Sequence, residues 1–421
     1  MNIIASNTTS FEEIINTFIT DIKINGLNDM RLFLEKVDQF LYENKQDHMR
    51  VVKFKERVIQ TTIGMLRFKR RYYFDTFENK YRYLLDAFLE IPKRNRYLDA
   101  VKLKIIKAAS EMSYEKAGRY ACEDGLPASK STVCRLLKKA EFYIEDNNKI
   151  IKNDSKIHLQ IDEKFLNVID SKNKKKYYTA TIFKGVKLKG KKRVLQNRTL
   201  ISGNNLDTFF KRINKSLINK YKVEPEEEIY LSGDLASYIQ HAPNRMIYCQ
   251  AIYVPDKYHI KHAIESETAV IAKDKDLSNK KFLKDIRFAL KETESTDGKK
   301  LLQLLTTNAK CLKHYMDKEY EGCSQEGMNS HYYATRFGKV PNVWNMETID
   351  KISKIIEAKE NDNKVKIGFV DEFYDMPYDL NTEIDFDSCY RELICTEGMP
   401  YDMARVFNRI RNGYDANIFI K

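Results

Sequence analysis

The sequence lacks both paired cysteines and long apolar runs. Its seven cysteines are scattered, none forms a C-x-x-C pair, and their number is odd. In a chain of 421 residues, this pattern favours reduced thiols in the cytoplasm over a disulfide framework. No uncharged apolar run approaches the roughly 18 residues that a membrane span needs. Because the N-terminus also lacks the basic region and apolar core of a signal peptide, we expect a cytoplasmic protein without membrane contact.

Basic residues outnumber acidic ones. The chain has 73 lysines and arginines against 60 aspartates and glutamates, a net charge of +13 and a pI near 9.1. This excess favours a polyanionic partner such as nucleic acid, although a lysine-rich bias that only solvates the surface would give the same balance. At about 150 residues per domain, the length predicts two or three domains.

The N-terminal region, residues 1–55, is predicted to be helical. Apolar residues recur at helical spacing between about 10 and 45, which predicts a core face or a surface for a partner helix.

Residues 57–75 predict a β-hairpin. β-branched and aromatic residues flank Gly64, as in two short strands joined by a turn. The second strand interleaves aromatic residues with basic ones: Arg67, Lys69, Arg70 and Arg71. Such a pattern suits contact with a phosphate backbone, although charges that protect an edge strand would look the same.

Residues 97–143 predict three helices with a glycine-containing break before the third. Ser129 or Ser131 is placed to cap that third helix, which extends to the end of the range. Its outer face carries Lys130, Thr132, Arg135, Lys138 and Lys139. This is the layout of a helix-turn-helix, although many helical proteins contain such turns without binding DNA. Together with the hairpin it makes residues 56–145 a predicted, mainly helical DNA-binding region.

After a polar linker the pattern becomes α/β, in the order β-β-β-α-β-α-β-α. Short charged turns join the first three strands, which predicts antiparallel pairing, and crossovers join the later ones. This is the order of a ribonuclease-H-like core. We therefore predict an α/β fold over residues 156–346: a ribonuclease-H-like mixed sheet with a helical insertion at about 260–320. The role of residues 347–421 stays open.

Three acidic residues are candidates for chemistry. Asp162 projects from the more polar face of a predicted strand, where an acid is disfavoured, and alternation sends Glu163 to the opposite face. Asp234 follows a buried strand and Gly233, where α/β sheets place functional residues. Glu326 lies early on a predicted helix. Each of the three could also be an ordinary acid on the surface or at a helix cap. Together, however, they suit Mg²⁺ (or Mn²⁺), which prefers carboxylate ligands.

Four segments carry a resemblance to a known family: LQIDEKFLNV, YLSGDLASYI, VPDKYHIKHAI and CSQEGMNSHYYATRF. They resemble bacterial insertion-sequence transposases of the ISLre type, a group similar to Mutator-like transposases, and the resemblance extends over about residues 55–346. It implies a metal-binding DDE triad of Asp162, Asp234 and Glu326, with an all-helical insertion between the last two.

Asp256 and His259 form a D-x-x-H pair. Mutator-like enzymes carry a similar motif after the second aspartate, which implies that the pair lies near the active site and that His259 has a catalytic role. The structural alternative is a local Asp–His hydrogen bond that fixes the turn after Pro255.

The resemblance implies a DNA transposase that cleaves the ends of an insertion sequence and joins 3′-hydroxyls to target DNA by two-metal phosphoryl transfer. Its partners would be double-stranded DNA in the nucleoid and a second copy of the chain, because two ends must be brought together. Two alternatives are a decayed or domesticated DNA-binding protein without catalysis and a ribonuclease-H-like nuclease. The chain after Trp344 does not resemble the family's usual ending.

Overall fold

The chain folds into two compact units, which we describe separately. Unit 1 contains the described residues up to 142 together with 366–377, and unit 2 contains those from 143 to 365. The computed structural model describes residues 11–147, 149–151, 154–169, 171–190, 192–272, 275–277, 279–307, 309–338 and 343–377.

Unit 1 combines a long helix, a small antiparallel sheet and a group of short helices. Its elements are α1 (Phe11–Glu43), β1 (Met49–Gln60), β2 (Met65–Asp75), β3 (Lys80–Arg82), α2 (Leu84–Phe88), α3 (Asp99–Glu111), α4 (Tyr114–Ala121) and α5 (Lys130–Lys139), followed by β4 (Ala140–Glu145).

Helix α1 is packed only in its second half. Phe33, Val37 and Leu41 lie in a core that they share with the β-sheet. In the first half Phe11 is 79% exposed and Phe18 is 64% exposed. The predicted apolar stripe is therefore core at one end and an uncovered surface at the other.

The predicted hairpin is present and longer than expected. β1 and β2 pair antiparallel from Met49 opposite Asp75 to Gln60 opposite Met65, and β3 adds to β2. Gly64, with φ of 144°, lies between the two long strands. The predicted boundary at residue 55 falls within β1, which pairs with β2 on both sides of a register shift between Val51 and Lys53.

The predicted group of three helices, α3, α4 and α5, is also present. The Ser129 hydroxyl caps α5 by accepting a hydrogen bond of 3.2 Å from the Thr132 amide. A Cβ at Gly118 would lie 1.9 Å from the Ala128 carbonyl oxygen, so only glycine allows α4 to approach the turn this closely. α5 ends earlier than predicted because Ala140 is extended (ψ 134°) and begins β4.

Unit 2 contains a mixed α/β core. Its elements are β5 (Ile157–Leu166), β6 (Lys175–Lys184), β7 (Val186–Lys189), β8 (Lys192–Leu195), β9 (Thr199–Gly203), α6 (Leu206–Asn219), β10 (Glu228–Gly233), α7 (Ser237–Gln240), β11 (Gln250–Pro255), α8 (Lys257–Thr268), α9 (Lys280–Leu290), α10 (Thr296–Thr307), α11 (Gln325–Asn329), α12 (Thr335–Phe337), α13 (Met346–Glu360) and β12 (Lys364–Phe369).

Five of these strands form one sheet, in the order β11-β10-β5-β6-β9. β5, β6 and β9 are antiparallel neighbours, whereas β10 runs parallel to both β5 and β11. Within unit 2, the described strands β7 and β8 form a separate antiparallel pair. Leu159 and Ile161 of β5 share a core with Phe209, Ile213 and Leu217 of α6.

The helices between β11 and α11 have a core of their own. Ile260 and Ile264 of α8 pack with Ile286 of α9 and with Leu301 and Leu304 of α10. These helices occupy the stretch predicted as a helical insertion.

The predicted boundary at residue 346 falls at the start of α13, which packs against the sheet of unit 2. Glu357 accepts hydrogen bonds from the amide and hydroxyl of Ser202 on β9, at 2.6 and 2.5 Å. Asn361 exchanges two hydrogen bonds with the Leu200 backbone, at 2.7 and 2.8 Å. The edge strand β9 is thereby covered by polar groups. The predicted C-terminal region from residue 378 onward lies outside the described residues.

Candidate active site

Three aspartates follow matched positions on the three parallel strands of unit 2. Gly233 on β10 lies opposite both Ile161 on β5 and Pro255 on β11. The next residues are Asp162, Asp234 and Asp256, so the acids form a row across one end of the parallel strands. This is the edge at which α/β sheets bind ligands.

Gly233 allows the close approach of β10 to β5 at this row. A Cβ on Gly233 would lie 2.5 Å from the Ile161 carbonyl oxygen and 2.8 Å from Cγ2 of Ile239. A larger residue would push apart the two strands that carry Asp162 and Asp234.

The Asp162 carboxylate is largely buried and held by two hydrogen bonds. Its Oδ1 accepts one of 2.7 Å from the Glu163 amide, and its Oδ2 accepts one of 2.5 Å from Nδ2 of Asn329. Burial and the nearby Asp234 charge together raise the pKa of Asp162 to about 6, although its two hydrogen bonds and the charge of His259 oppose the shift. The site therefore favours a cation beside this pair of carboxylates.

A set of polar contacts docks the segment that leads into α11 onto the same face of β5. Gln160 donates to the Gly322 carbonyl at 2.8 Å and accepts from the amide and hydroxyl of Ser324 at 3.1 Å each. The Thr179 hydroxyl donates to Oδ1 of Asn329 at 2.6 Å. α11, which contains Glu326, therefore begins and ends beside β5 and β6.

The side chain of Glu326 lies outside the described residues. Among the described side chains, no group of three His, Cys, Asp or Glu is arranged to hold a metal ion.

Asp234 faces an open cavity of about 630 Å³, which Glu163 and His259 also line. Its Oδ1 accepts a hydrogen bond of 2.9 Å from the Ala236 amide, and its carbonyl accepts one of 2.7 Å from the Tyr253 hydroxyl. The backbone around Asp234 is thus fixed, while its carboxylate is accessible.

Asp256 and His259 lie at the start of α8. Asp256 caps the helix by accepting a hydrogen bond of 3.0 Å from the Tyr258 amide. Nε2 of His259 lies 3.9 Å from Oδ2 of Asp256, a separation for an ion pair and not for a hydrogen bond. His259 is 37% exposed and lines the same cavity as Asp234.

Glu163 was not singled out as a site residue, yet it belongs to the walls of this cavity. Its side chain is only 7% exposed and forms an ion pair of 2.9 Å with Lys176. Its Oε2 and the hydroxyl of Tyr238 are both buried and have no hydrogen-bond partner among the residues that the structure describes. The adjacency of Glu163 to Asp162 was visible in the sequence, but its burial depends on β6 and α7.

The basic residues predicted on the hairpin have two different environments. Arg67 is 54% exposed and Lys69 is exposed, as a DNA contact requires. Arg70 is 4% exposed and pairs with Asp86 at 2.8 Å. Arg71 is 12% exposed and pairs with Asp38 at 2.7 Å. Both guanidinium groups thus pair with buried carboxylates, which leaves Arg67 and Lys69 as the more exposed of the four predicted DNA contacts.

The basic residues predicted on α5 lie on its outer face. Lys130, Arg135, Lys138 and Lys139 are exposed, and Thr132 is half-buried. Lys130 pairs with Glu115 of α4 at 2.8 Å.

Among the described helices, none combines the length and the apolar composition that crossing a bilayer would demand.

The chain is similar over most of its length to one protein family and its members. The model of UPF0236, described as an uncharacterised protein family, matches residues 4–370. The UPF0236 protein TTE2489 of Caldanaerobacter subterraneus subsp. tengcongensis is 26% identical over 354 residues, which cover 80% of this chain and 76% of that protein. A second UPF0236 protein of the same organism, whose name joins eleven designations from TTE0033 to TTE2212, is 26% identical over 399 residues, 86% of this chain and 84% of its own length. Because the family model covers far more than half of the sequence, the chain belongs to the UPF0236 family.

Proposed function

We propose that this UPF0236 protein is a DDE transposase of the ISLre type, which cleaves the ends of an insertion sequence and joins the resulting 3′-hydroxyls to target DNA. The observation that carries the proposal is the register of β5 and β10, since it sets Asp162 beside Asp234 at the end of two parallel strands.

The order of the sheet supports a ribonuclease-H-like core. If its five strands are numbered along the chain, their spatial order is 3-2-1-4-5. The first three are antiparallel, and the fourth and fifth run parallel to the first. That arrangement is the one expected from the strand and helix order of the sequence.

The residues at the strand ends fit Mg²⁺ or Mn²⁺. Asp162 and Asp234 offer the hard oxygen ligands that these ions prefer, and the raised pKa of Asp162, caused by burial and by Asp234, reflects negative charge that a cation would neutralise. Asp162, Asp234 and Glu326 would hold the metal. When bound, such ions activate the attacking oxygen and stabilise the leaving oxygen in phosphoryl transfer.

The protein's own residues would prepare this centre and its substrate. Asn329 fixes the orientation of the Asp162 carboxylate through its 2.5 Å hydrogen bond. His259 lines the same cavity as Asp234, and we propose that it contacts the scissile strand. The cavity is open, as a DNA strand that enters from solvent requires.

The relatives add support of a different kind. The name of one relative joins eleven designations of the same form, as expected for one sequence that recurs at many places in a genome. Mobile elements accumulate such copies, whereas an ordinary enzyme gene does not need them.

We further propose that two copies of the chain form a dimer that holds the two ends of the insertion sequence together. The exposed apolar stripe on the first half of α1, with Phe11, Ile14, Phe18 and Ile22 each more than half exposed, supports a second copy as its partner. A Phe18→Glu variant should lower the mass measured by light scattering from that of a dimer to that of a monomer.

Strand transfer on labelled DNA tests the proposed function. The full-length protein would be incubated with Mg²⁺ and a duplex carrying the sequences that flank its gene. Asp162→Asn, Asp234→Asn and Glu326→Gln should each lower transfer about a hundredfold or more, because each loses several kcal/mol of transition-state stabilisation. Asp285→Asn, an exposed acid on α9, should transfer normally.

The outcome also separates the alternatives. Cleavage without joining would point to a nuclease, and binding without cleavage would point to a non-catalytic DNA-binding protein. Unchanged transfer by Asp234→Asn would rule out the proposed site.

A further inference from the structure

A second cavity, of about 440 Å³, lies in unit 1 between α5 and the chain segment 93–97, which we call the 93–97 loop. Thr132, Arg135 and Lys139 of α5 line one wall, and Arg94 and Arg96 belong to the other. The loop is the run KRNRY, whose basic residues the sequence analysis did not assign to any surface.

The lining of this cavity includes two acids, Asp371 and Glu372, which neutralise its positive charges only in part. Lys102 pairs with Asp99 at 2.8 Å and with Asp371 at 2.5 Å. Four other cationic side chains of the lining are exposed to solvent: Arg94, Arg96, Arg135 and Lys139. None of these four forms an ion pair with a described residue. Such a group of like charges repels itself and favours an anion as its occupant.

The 93–97 loop is held rigidly against the hairpin. Arg57 of β1 donates to the carbonyls of Pro92 and Asn95, at 2.7 and 3.0 Å. The Gln60 amide donates to the Arg96 carbonyl at 2.7 Å. These bonds fix the backbone from which Arg94 and Arg96 extend, so contact with a ligand need not order the loop.

The same glutamine connects the loop to the helix-turn-helix. Oε1 of Gln60 accepts a hydrogen bond of 2.8 Å from the amide of Leu126, in the turn between α4 and α5. Its side chain also fills the space beside Gly125, where a Cβ would lie 2.0 Å from Oε1. The hairpin, the loop and the turn before α5 are therefore parts of one platform.

A neighbouring cavity continues the surface toward the hairpin. It has a volume of about 540 Å³ and is lined by Arg94 and Arg96 and by Arg67, which pairs with Glu56 of the same lining at 3.3 Å. The loop thus lies between the two basic regions predicted from the sequence, the second strand of the hairpin and the outer face of α5.

We propose that the 93–97 loop is a phosphate-binding bridge, over which the backbone of duplex DNA passes between α5 and the hairpin. Arg94, Arg96 and Arg135 contact phosphates, and the loop sets the register of the helix-turn-helix on the duplex. Phosphate contacts of this kind position a protein on DNA without reading bases. The inference deepens the proposed function and rests on it for the identity of the DNA, the ends of the element.

The salt dependence of DNA binding tests the bridge. The dissociation constant of the full-length protein for a duplex carrying the gene's flanking sequence would be measured over a range of NaCl concentrations. Each lost phosphate contact should reduce the slope of log K against log [NaCl] by about 0.9. We expect a reduction of about 1.8 for the Arg94→Ala/Arg96→Ala double variant and of about 0.9 for Arg135→Ala.

A matched control is the double variant Arg50→Ala/Lys53→Ala, whose residues are exposed on β1 and line neither cavity. Its slope should equal that of the unaltered protein. Thermal unfolding would establish that each variant is folded, and Arg135→Ala, on an exposed helix face, keeps the test decisive if the loop variant unfolds.

The two proposals fail in different ways. If the folded variants Arg94→Ala/Arg96→Ala and Arg135→Ala gave unchanged salt slopes, the phosphate-binding bridge would be wrong. The proposal of strand transfer would still stand. A protein that binds DNA with the expected slopes but never cleaves it would support the bridge and overturn the transposase.

Discussion

The Asn329 side chain donates a hydrogen bond of 2.5 Å to Oδ2 of Asp162, although 167 residues separate the two in the sequence. The same amide group accepts a hydrogen bond of 2.6 Å from the Thr179 hydroxyl. Because Asn329 ends the helix that contains Glu326, this contact joins the last acid of the proposed triad to the first.

Asn329→Ala should impair strand transfer without unfolding the protein. Loss of the amide leaves Asp162 free to rotate, and groups that orient metal ligands typically contribute 10–100-fold, roughly, to metal affinity or activity. We expect the Mg²⁺ concentration for half-maximal transfer to rise by about that factor. The measurement is a Mg²⁺ titration of strand transfer.

Asn244→Ala, an exposed asparagine outside this cluster, is the matched control and should titrate normally. If Asn329→Ala showed an unchanged Mg²⁺ requirement, Asn329 would have only a structural role.

Gly233→Ala should separate the two strands that carry Asp162 and Asp234. The added Cβ would meet the Ile161 carbonyl oxygen at 2.5 Å, so β10 must move. We expect a loss of about 1–3 kcal/mol in the free energy of unfolding, as is typical of overpacking, and a larger loss of strand transfer. Urea denaturation and transfer assays measure the two effects.

Gly203→Ala on β9 is the control for that substitution. A Cβ there meets no atom within 4 Å, so its stability and transfer should match those of the unaltered protein. Equal behaviour of the two alanine variants would contradict the importance of the close approach at Gly233.

Local patterns in the sequence located much of the site. The strand predicted to end before Asp234 is present as β10, Glu228–Gly233, and five of its six residues are buried, as is typical of an internal parallel strand. The alternation of β5 likewise placed Gln160 and Asp162 on one face. What the sequence could not supply is the register of Ile161 against Gly233, which joins segments about 70 residues apart.

Non-local contacts also determine which basic residues are buried and which are exposed. Arg70 and Arg71 resemble a DNA-binding pair in the sequence, but Asp86 and Asp38 come from other elements and bury them. Conversely, the basic 93–97 loop is visible in the sequence, yet only its attachment to Arg57 and Gln60 gives it a defined place.

His158 should make unit 2 less stable in mild acid. Burial and, to a smaller extent, the charge of Arg193 lower the pKa of His158 to about 4. A hydrogen bond with the Glu319 carbonyl opposes this lowering. An unfolded histidine titrates near 6.5, so the unfolded chain binds the extra proton between these two values. The neutral, buried His158 therefore makes its full contribution to the free energy of unfolding above about pH 6.5. This free energy falls by up to about 3 kcal/mol as the pH approaches 4.

Denaturant unfolding of the unaltered protein and of His158→Phe between pH 4 and 7 measures this effect. Phenylalanine can replace the ring that stacks on Phe183 and Tyr230, at 4.9 and 5.3 Å between centroids. As the pH falls, the free energy of unfolding of the unaltered protein should therefore decrease more than that of His158→Phe. A difference that stays constant with pH would contradict a neutral, buried His158.

Glu357→Ala should detach α13 from the edge strand β9. The Glu357 carboxylate is 4% exposed and binds the amide and hydroxyl of Ser202 as well as the Arg212 guanidinium. Its removal leaves these donors without their acceptor, and hydrogen bonds to a charged group contribute about 1.5–3 kcal/mol. We expect a loss of about 2–3 kcal/mol in the free energy of unfolding, measured in urea.

The control is Glu347→Ala on the same helix, because Glu347 is 55% exposed and pairs only with Lys351 among the described residues. Surface pairs of this kind contribute about 0–1 kcal/mol, so its stability should hardly change. Equal losses for the two variants would mean that α13 is attached by its apolar face alone. A selective loss for Glu357→Ala would show that residues 347–365 belong to the same folded unit as Asp162 and Asp234.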